Sequence, residues 1–149
     1  MYVSGRMKLI QNCTVDVLGG YGVGIYQIGE DLFILSQSGP HGWQNFGDFY
    51  DHLVGYSEPY PVIDEVAILS TFSVLTTSDA PTEFHLHGPS MQLIPDHEGP
   101  EIFEWDEDLH VANTPSLCGV DGLAMLINST CEPVATEKIS WTAVKTLFD

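Results

Sequence analysis

The sequence predicts an α+β domain built on a mostly antiparallel sheet. Apolar runs bounded by short turns indicate most of the strands, and the long, nearly uncharged stretch 62–77 indicates a central one. A single internal segment with apolar side chains every three or four residues indicates a helix. The length of 149 residues is typical of one domain. We therefore expect residues 1–149 to form one compact acidic domain, with 1–6 as a short flexible lead.

The internal helix is predicted at about 42–55. Trp43, Phe46 and Leu53 recur at helical spacing, and Gly55 is a suitable stop. A surface helix normally buries such an aromatic stripe, so we expect it to face the core. A second, short helix is predicted at about 140–148, where Ser140 is a good N-cap residue.

Short turns predict hairpins along the rest of the chain. Residues 25–28 and 32–36 flank a Gly-Glu-Asp turn, 82–87 and 91–94 flank a Gly-Pro-Ser turn, and 101–105 and 109–112 flank an acidic turn. The glycine-rich stretch 19–24 lacks the Gly-Lys-Ser/Thr ending of a phosphate-binding loop and the Gly-x-Gly-x-x-Gly spacing of a dinucleotide-binding turn. It is interpreted as a flexible turn or bulge.

Charge is the unusual feature of the composition. The chain has 4 Lys and Arg against 21 Asp and Glu, a formal net charge of −17. The basic residues are Arg6, Lys8, Lys138 and Lys145, so none lies between positions 8 and 138. Such a field repels nucleic acid and anionic lipid and attracts basic proteins. The sequence predicts a basic protein partner, with no direct nucleic-acid or membrane binding; an acidic surface kept for solubility is the competing interpretation.

The cysteines and the first residues bear on the compartment. Cys13, Cys118 and Cys131 fit no zinc spacing and are few for a disulfide scaffold, so free buried thiols are expected. No apolar core of a secretory signal is present in residues 1–12, and no apolar run approaches the length of a membrane span. A cytoplasmic protein is predicted.

The segment 96–108 is the densest in acidic residues, and aromatic side chains lie among them. Aromatic anchors surrounded by charge of one sign are typical of interaction hot spots. We therefore predict a partner-binding surface in this segment, to which the exposed aromatics Tyr56 and Tyr60 could add. The predicted partner-binding residues are Glu101, Phe103, Glu104, Trp105, Asp106, Glu107 and Asp108.

Histidines give the alternative site. Alternation along a strand at 82–87 would place Glu83, His85 and His87 on one face, where two imidazoles could bind Zn²⁺ or another divalent ion. A further ligand would have to come from Asp96, His97 or His110. The competing interpretation is a solvated strand face.

Three functions are consistent with these features. The leading hypothesis is a non-enzymatic inhibitor, needing no cofactor, that neutralises a basic partner by steric and electrostatic blocking. Immunity proteins to toxins, antitoxin-like proteins and phage-type nucleic-acid mimics that block defence enzymes are the general classes. The first alternative is a metal-binding protein or metal-dependent hydrolase using His85 and His87. The second is a structural or assembly subunit, for which a homo-oligomer is expected. No catalytic residues are predicted, because the chain contains no Gly-x-Ser-x-Gly nucleophile motif.

Overall fold

The computed structural model describes residues 3–12, 15–40, 42–106, 108–112 and 114–131, and within these ranges all regular structure is β. The strands are β1 Val3–Asn12, β2 Val17–Ile28, β3 Leu32–Ser38, β4 Trp43–Asn45, β5 Asp51–Pro61, β6 Val66–Thr76, β7 Thr82–His87, β8 Glu101–Glu104, β9 Leu109–Val111, β10 Ser116–Leu117, β11 Val120–Asp121 and β12 Leu123–Ile127. The predicted α+β class is therefore wrong for the described part of the chain.

The strands form two main antiparallel sheets and one small hairpin. Sheet A has the order β1-β6-β3, so the predicted central strand lies between two partners as β6. Sheet B has the order β12-β7-β2-β5-β4, with β8 also pairing with β2 and β9 with β8. Strands β10 and β11 pair with each other and with no other described strand. Residues 3–6, predicted as a flexible lead, pair with β6.

The core lies between the two sheets, because the inward side chains of β6 contact those of sheet B. Alternate residues along each strand point inward, as period-two patterning requires. The buried side chains include Leu18, Tyr21, Val23, Ile25, Val54, Tyr56, Phe84 and Ile102 from sheet B, and Leu32, Ala67, Leu69, Phe72 and Val74 from sheet A.

The glycine-rich stretch forms the middle of the central strand β2, so its interpretation as a turn is wrong, while a bulge is present between Leu18 and Gly20. The outer face of β2 is covered closely at alternate positions. A Cβ atom on Gly20 would lie 2.1 Å from the Val54 carbonyl oxygen and 3.0 Å from the Phe103 ring, and one on Gly22 would lie 2.8 Å from Pro89 Cγ. Glycine therefore makes room for the close backbone of β5 and for side chains packed over the sheet.

The predicted helix at 42–55 is replaced by β4, a turn and β5. Local side-chain hydrogen bonds favour the turn over a helix. Asn45 Oδ1 accepts the Gly47 and Leu53 N–H groups at 3.0 and 3.1 Å, and Asp48 Oδ1 accepts those of Tyr50 and Asp51 at 2.7 and 2.9 Å. The aromatic residues at helical spacing do not form one core-facing stripe, since Phe46 is 68% exposed.

Two of the predicted hairpins are also corrected. The strands on either side of the Gly-Glu-Asp turn exist, but β2 belongs to sheet B and β3 to sheet A, so the turn connects the layers. Residues 91–94 form no strand and lie in the loop 88–100. The third predicted hairpin is confirmed as β8–β9. The predicted helix at 140–148 lies outside the described residues.

Cys118 and Cys131 form a disulfide, so the expectation of free thiols is wrong for this pair. The bond connects the β10–β11 turn to the chain beyond β12. Cys13 lies outside the described residues. Disulfides persist mainly in oxidising compartments, so a cytoplasmic location stays a prediction. In the described part of the chain, no helix is long and apolar enough to cross a membrane.

Candidate functional site

The end of the β8–β9 hairpin presents an aromatic side chain among carboxylates. The Glu104 N–H donates to the Asp108 carbonyl at 2.8 Å, which closes the turn. Trp105 at the turn is 39% exposed, Asp106 and Asp108 are exposed, and Glu104 is half-buried. We call Glu104, Trp105, Asp106 and Asp108 the acidic tip. Glu107 lies outside the described residues.

His110 contacts the acidic tip through Glu104. Its Nε2 lies 3.0 Å from Glu104 Oε2. One ligand atom from each of Glu104, Asp108 and His110 lies within 4.8 Å of the others, so this group has the donors to hold a divalent ion. Among the described residues it is the one such group of three. The hydrogen bond between Glu104 and His110 explains their closeness as well as a bound metal ion would.

The histidines predicted as metal ligands are not brought together with a third donor in the described structure. His85 Nε2 lies 2.9 Å from Glu83 Oε2 on the outward face of β7, as the strand alternation predicts. The His87 ring instead donates from Nδ1 to the Gly88 carbonyl at 2.6 Å. His97 contacts the Pro100 carbonyl through Nε2 at 3.2 Å, and Asp96 occupies a left-handed turn position with φ 57°.

Glu101 is the acidic residue that the fold removes from the surface. Strands β7 and β8 both pair with β2, at Gly24–Ile28 and Leu18–Gly22 respectively, and the loop 88–100 connects them. The side chain of Glu101 is buried beneath this loop, only 1% exposed. Its carboxylate accepts the N–H groups of Leu93 at 3.0 and 3.1 Å and of Ile94 at 2.9 Å. Glu101 therefore holds the loop and is not available to a partner.

The other end of the loop is held by Asp51. Its carboxylate accepts the Ser90 N–H at 2.9 Å and the Ser90 hydroxyl. These two hydrogen bonds lower the pKa of Asp51, with nearby histidines adding to the effect. Two carboxylates, the buried one of Glu101 and the half-buried one of Asp51, thus fix the loop 88–100 on the outer face of sheet B.

The predicted aromatic residues divide between surface and interior. Phe103 is half-buried and packs over Gly20. Tyr56 is buried in the core, 6% exposed, so it cannot contact a partner. Tyr60 is half-buried and donates its hydroxyl to the Ile68 carbonyl at 3.0 Å. Trp105 is therefore the aromatic anchor that the acidic tip offers.

Sequence reasoning missed a buried polar cluster between the sheets. His52 is fully buried; its Nδ1 lies 3.1 Å from the Tyr21 hydroxyl and its Nε2 3.3 Å from the Phe49 carbonyl. Trp43 Nε1 donates to the same hydroxyl at 3.2 Å. Burial lowers the pKa of His52 to about 4 and raises the pKa of Tyr21 to about 12. The signal was the alternation of His52, Val54 and Tyr56, which the helical interpretation concealed.

Two adjoining cavities lie beside this core. One of about 250 Å³ is lined mainly by apolar side chains of β1, β6, β7 and β12. The other, about 210 Å³, includes Glu101 among its lining residues, but that carboxylate is occupied by the loop. Neither lining contains a histidine, cysteine or serine that could act as a base or nucleophile.

Comparison of the chain with protein-family models, curated proteins and solved structures finds no match. The functional argument therefore rests on the geometry and charge of the molecule.

Proposed function

We propose that this chain is an acidic binding protein that blocks a basic partner protein, with the acidic tip as its recognition surface. The observation that carries the proposal is an exposed Trp105 placed among Glu104, Asp106 and Asp108 at the end of a hairpin. The sequence has no Lys or Arg from position 9 to 137 that could neutralise these carboxylates from within. Among the described residues, His110 pairs with the tip through Glu104.

The proposed mechanism has two stages. The net charge of −17 steers a basic surface toward the protein and raises the association rate, an effect that salt weakens. Trp105 then fills an apolar pocket on the partner while the carboxylates around it pair with Lys or Arg. The bound tip covers a positively charged surface that the partner would otherwise use, as an immunity protein or a nucleic-acid mimic does.

The test is affinity capture of proteins from lysate of the native source with the full chain as bait, washed at rising salt, followed by mass spectrometry. Matched baits separate local from total charge. The tip variant carries Glu104→Gln, Asp106→Asn and Asp108→Asn, and the control variant carries Glu30→Gln, Asp79→Asn and Asp121→Asn at exposed positions elsewhere. A parallel capture in EDTA tests whether the Glu104, Asp108 and His110 group acts through a metal ion.

We expect one basic protein to be retained by the wild-type and control baits, with or without EDTA, and lost from the tip variant by at least tenfold. Equal retention by the tip and control variants would contradict the proposal, because total charge would then account for binding. Retention that EDTA abolishes would replace charge recognition by metal-mediated binding.

A structural or assembly subunit is the second candidate. The specific observation in its favour is an exposed apolar face on sheet A, where five large side chains are between 38% and 58% exposed: Ile10, Phe33, Leu35, Val66 and Ile68. Apolar surface of this kind on one face of a sheet is typical of contacts between proteins.

A further inference from the structure

Sheet A has a charge balance opposite to that of the whole molecule. Its three strands carry Arg6 and Lys8 and no Asp or Glu, although the chain has 21 acidic residues. Both cations are exposed on β1, with Arg6 opposite Ser73 and Lys8 opposite Thr71 on β6. Within the described residues neither cation makes an ion pair. The outer face of sheet A is thus a small positive area on a strongly negative protein.

Apolar side chains flank these cations at both ends of the face. Ile10 lies opposite Ile68 at one end and is 53% exposed. Phe33 and Leu35, 51% and 58% exposed, lie on β3 at the other. A cationic centre between apolar ends suits an acidic partner surface that carries an aromatic anchor.

We propose that the outer face of sheet A binds the acidic tip of a second copy of this chain. The inference rests on the proposed function, because it takes the acidic tip as a recognition surface and adds a partner for it. Charge complementarity favours this occupant. The tip supplies carboxylates that can pair with Arg6 and Lys8, and the apolar ends of the face can cover its exposed Trp105. A symmetric contact of face against face would bring like charges together, so the contact is head to tail.

The energetics indicate a weak, concentration-dependent contact. Exposed ion pairs contribute little to affinity, so they set orientation while apolar burial supplies most of the affinity. Repulsion between copies that each carry −17 opposes association at low salt. At about 0.15 M salt the Debye length is about 8 Å, which screens that repulsion more than it screens pairs in contact. Head-to-tail contacts between unlike surfaces build rings or filaments.

The test is sedimentation velocity of the purified full chain at rising concentration in about 0.15 M salt. The face variant carries Arg6→Glu and Lys8→Glu, and the tip variant and control variant are those defined above. We expect the sedimentation coefficients of the wild-type and control chains to rise with concentration, and those of the face and tip variants to stay at the monomer value. An equimolar mixture of face and tip variants should form a dimer, because one intact face and one intact tip remain.

Three results would overturn the inference: a wild-type chain that stays monomeric, face and tip variants that associate like the wild type, or a mixture that forms no dimer. A monomeric wild type that still captures a basic protein through the tip would overturn this inference alone. Conversely, self-association that needs the tip, with no basic protein captured, would overturn the proposed blocking function. The inferred contact between the tip and the outer face of sheet A would still stand.

Discussion

At the scale of single residues, His52 shows how the fold changes the chemistry of a side chain. The imidazole is fully buried between the sheets; its Nε2 donates to the Phe49 carbonyl, and its Nδ1 accepts a hydrogen bond from the Tyr21 hydroxyl. Burial disfavours the charged form of the imidazole and is the largest cause of the shift, which lowers the pKa of His52 from 6.5 to about 4. Asp48 and Asp51 oppose the shift without cancelling it.

This pKa predicts the sign of a pH dependence. A group whose pKa is lower in the folded protein than in the unfolded chain gives its full stabilisation above the unfolded value and loses it as pH falls. We expect His52 to account for a loss of about 2 kcal/mol in the free energy of unfolding between pH 7.5 and 5. Urea denaturation of wild type and His52→Gln at both pH values measures it. A slope in His52→Gln equal to that of the wild type would contradict the assignment.

Part of the surface around the predicted site follows from the residue types alone. Asp106 and Asp108 are exposed, and Trp105 lies beside them, as the composition of segment 96–108 predicts. The sequence could not predict that the Glu101 side chain faces a loop rather than solvent. The burial of Glu101 depends on its position opposite Gly22 of β2 and on backbone N–H groups that the loop places near its carboxylate. Neither can be read from the spacing of residues in the sequence.

At the scale of elements, the loop 88–100 is the clearest case of a segment held by charged side chains. Strand positions were predicted at β6 and β7 and at the β8–β9 hairpin because their patterns alternate or are uniformly apolar. The helix at 42–55 failed because Asn45 and Asp48 bind backbone N–H groups that a helix would need. The two-layer arrangement depends on which strands pair across long separations, and local sequence does not encode that choice.

Glu101→Ala should release the loop 88–100. The N–H groups of Leu93 and Ile94 would lose their acceptor, and we expect the free energy of unfolding to fall by about 2–3 kcal/mol. Hydrogen exchange should show faster exchange of these two amides. Glu98→Ala, at an exposed position in the same loop, is the matched control and should leave both amides protected. Unchanged protection in Glu101→Ala would show that the loop is held by other contacts.

At the scale of the whole molecule, charge is segregated rather than spread evenly. Arg6 and Lys8, the described Lys and Arg residues, lie on one face of sheet A, whereas the described carboxylates lie on sheet B, on the β10–β11 hairpin and in the connections between strands, and none lies on a strand of sheet A. In the described structure His85 contacts Glu83 and His110 contacts Glu104, whereas neither Arg6 nor Lys8 makes an ion pair with a described residue. The fold is therefore stabilised by burial and hydrogen bonds against a net electrostatic repulsion.

That repulsion predicts that salt stabilises this protein. Folding brings the carboxylates closer together, so screening them lowers the free energy of the folded state more than that of the expanded chain. Between about 0.01 M and 0.15 M NaCl we expect the free energy of unfolding to rise by on the order of a few kcal/mol. Urea denaturation at dilute, monomeric concentrations measures this without a contribution from association. The control variant, whose net charge falls from −17 to −14 by loss of three carboxylates, should show a smaller rise. An equal rise in both proteins would mean that bound ions or paired charges, rather than general repulsion, set the response to salt.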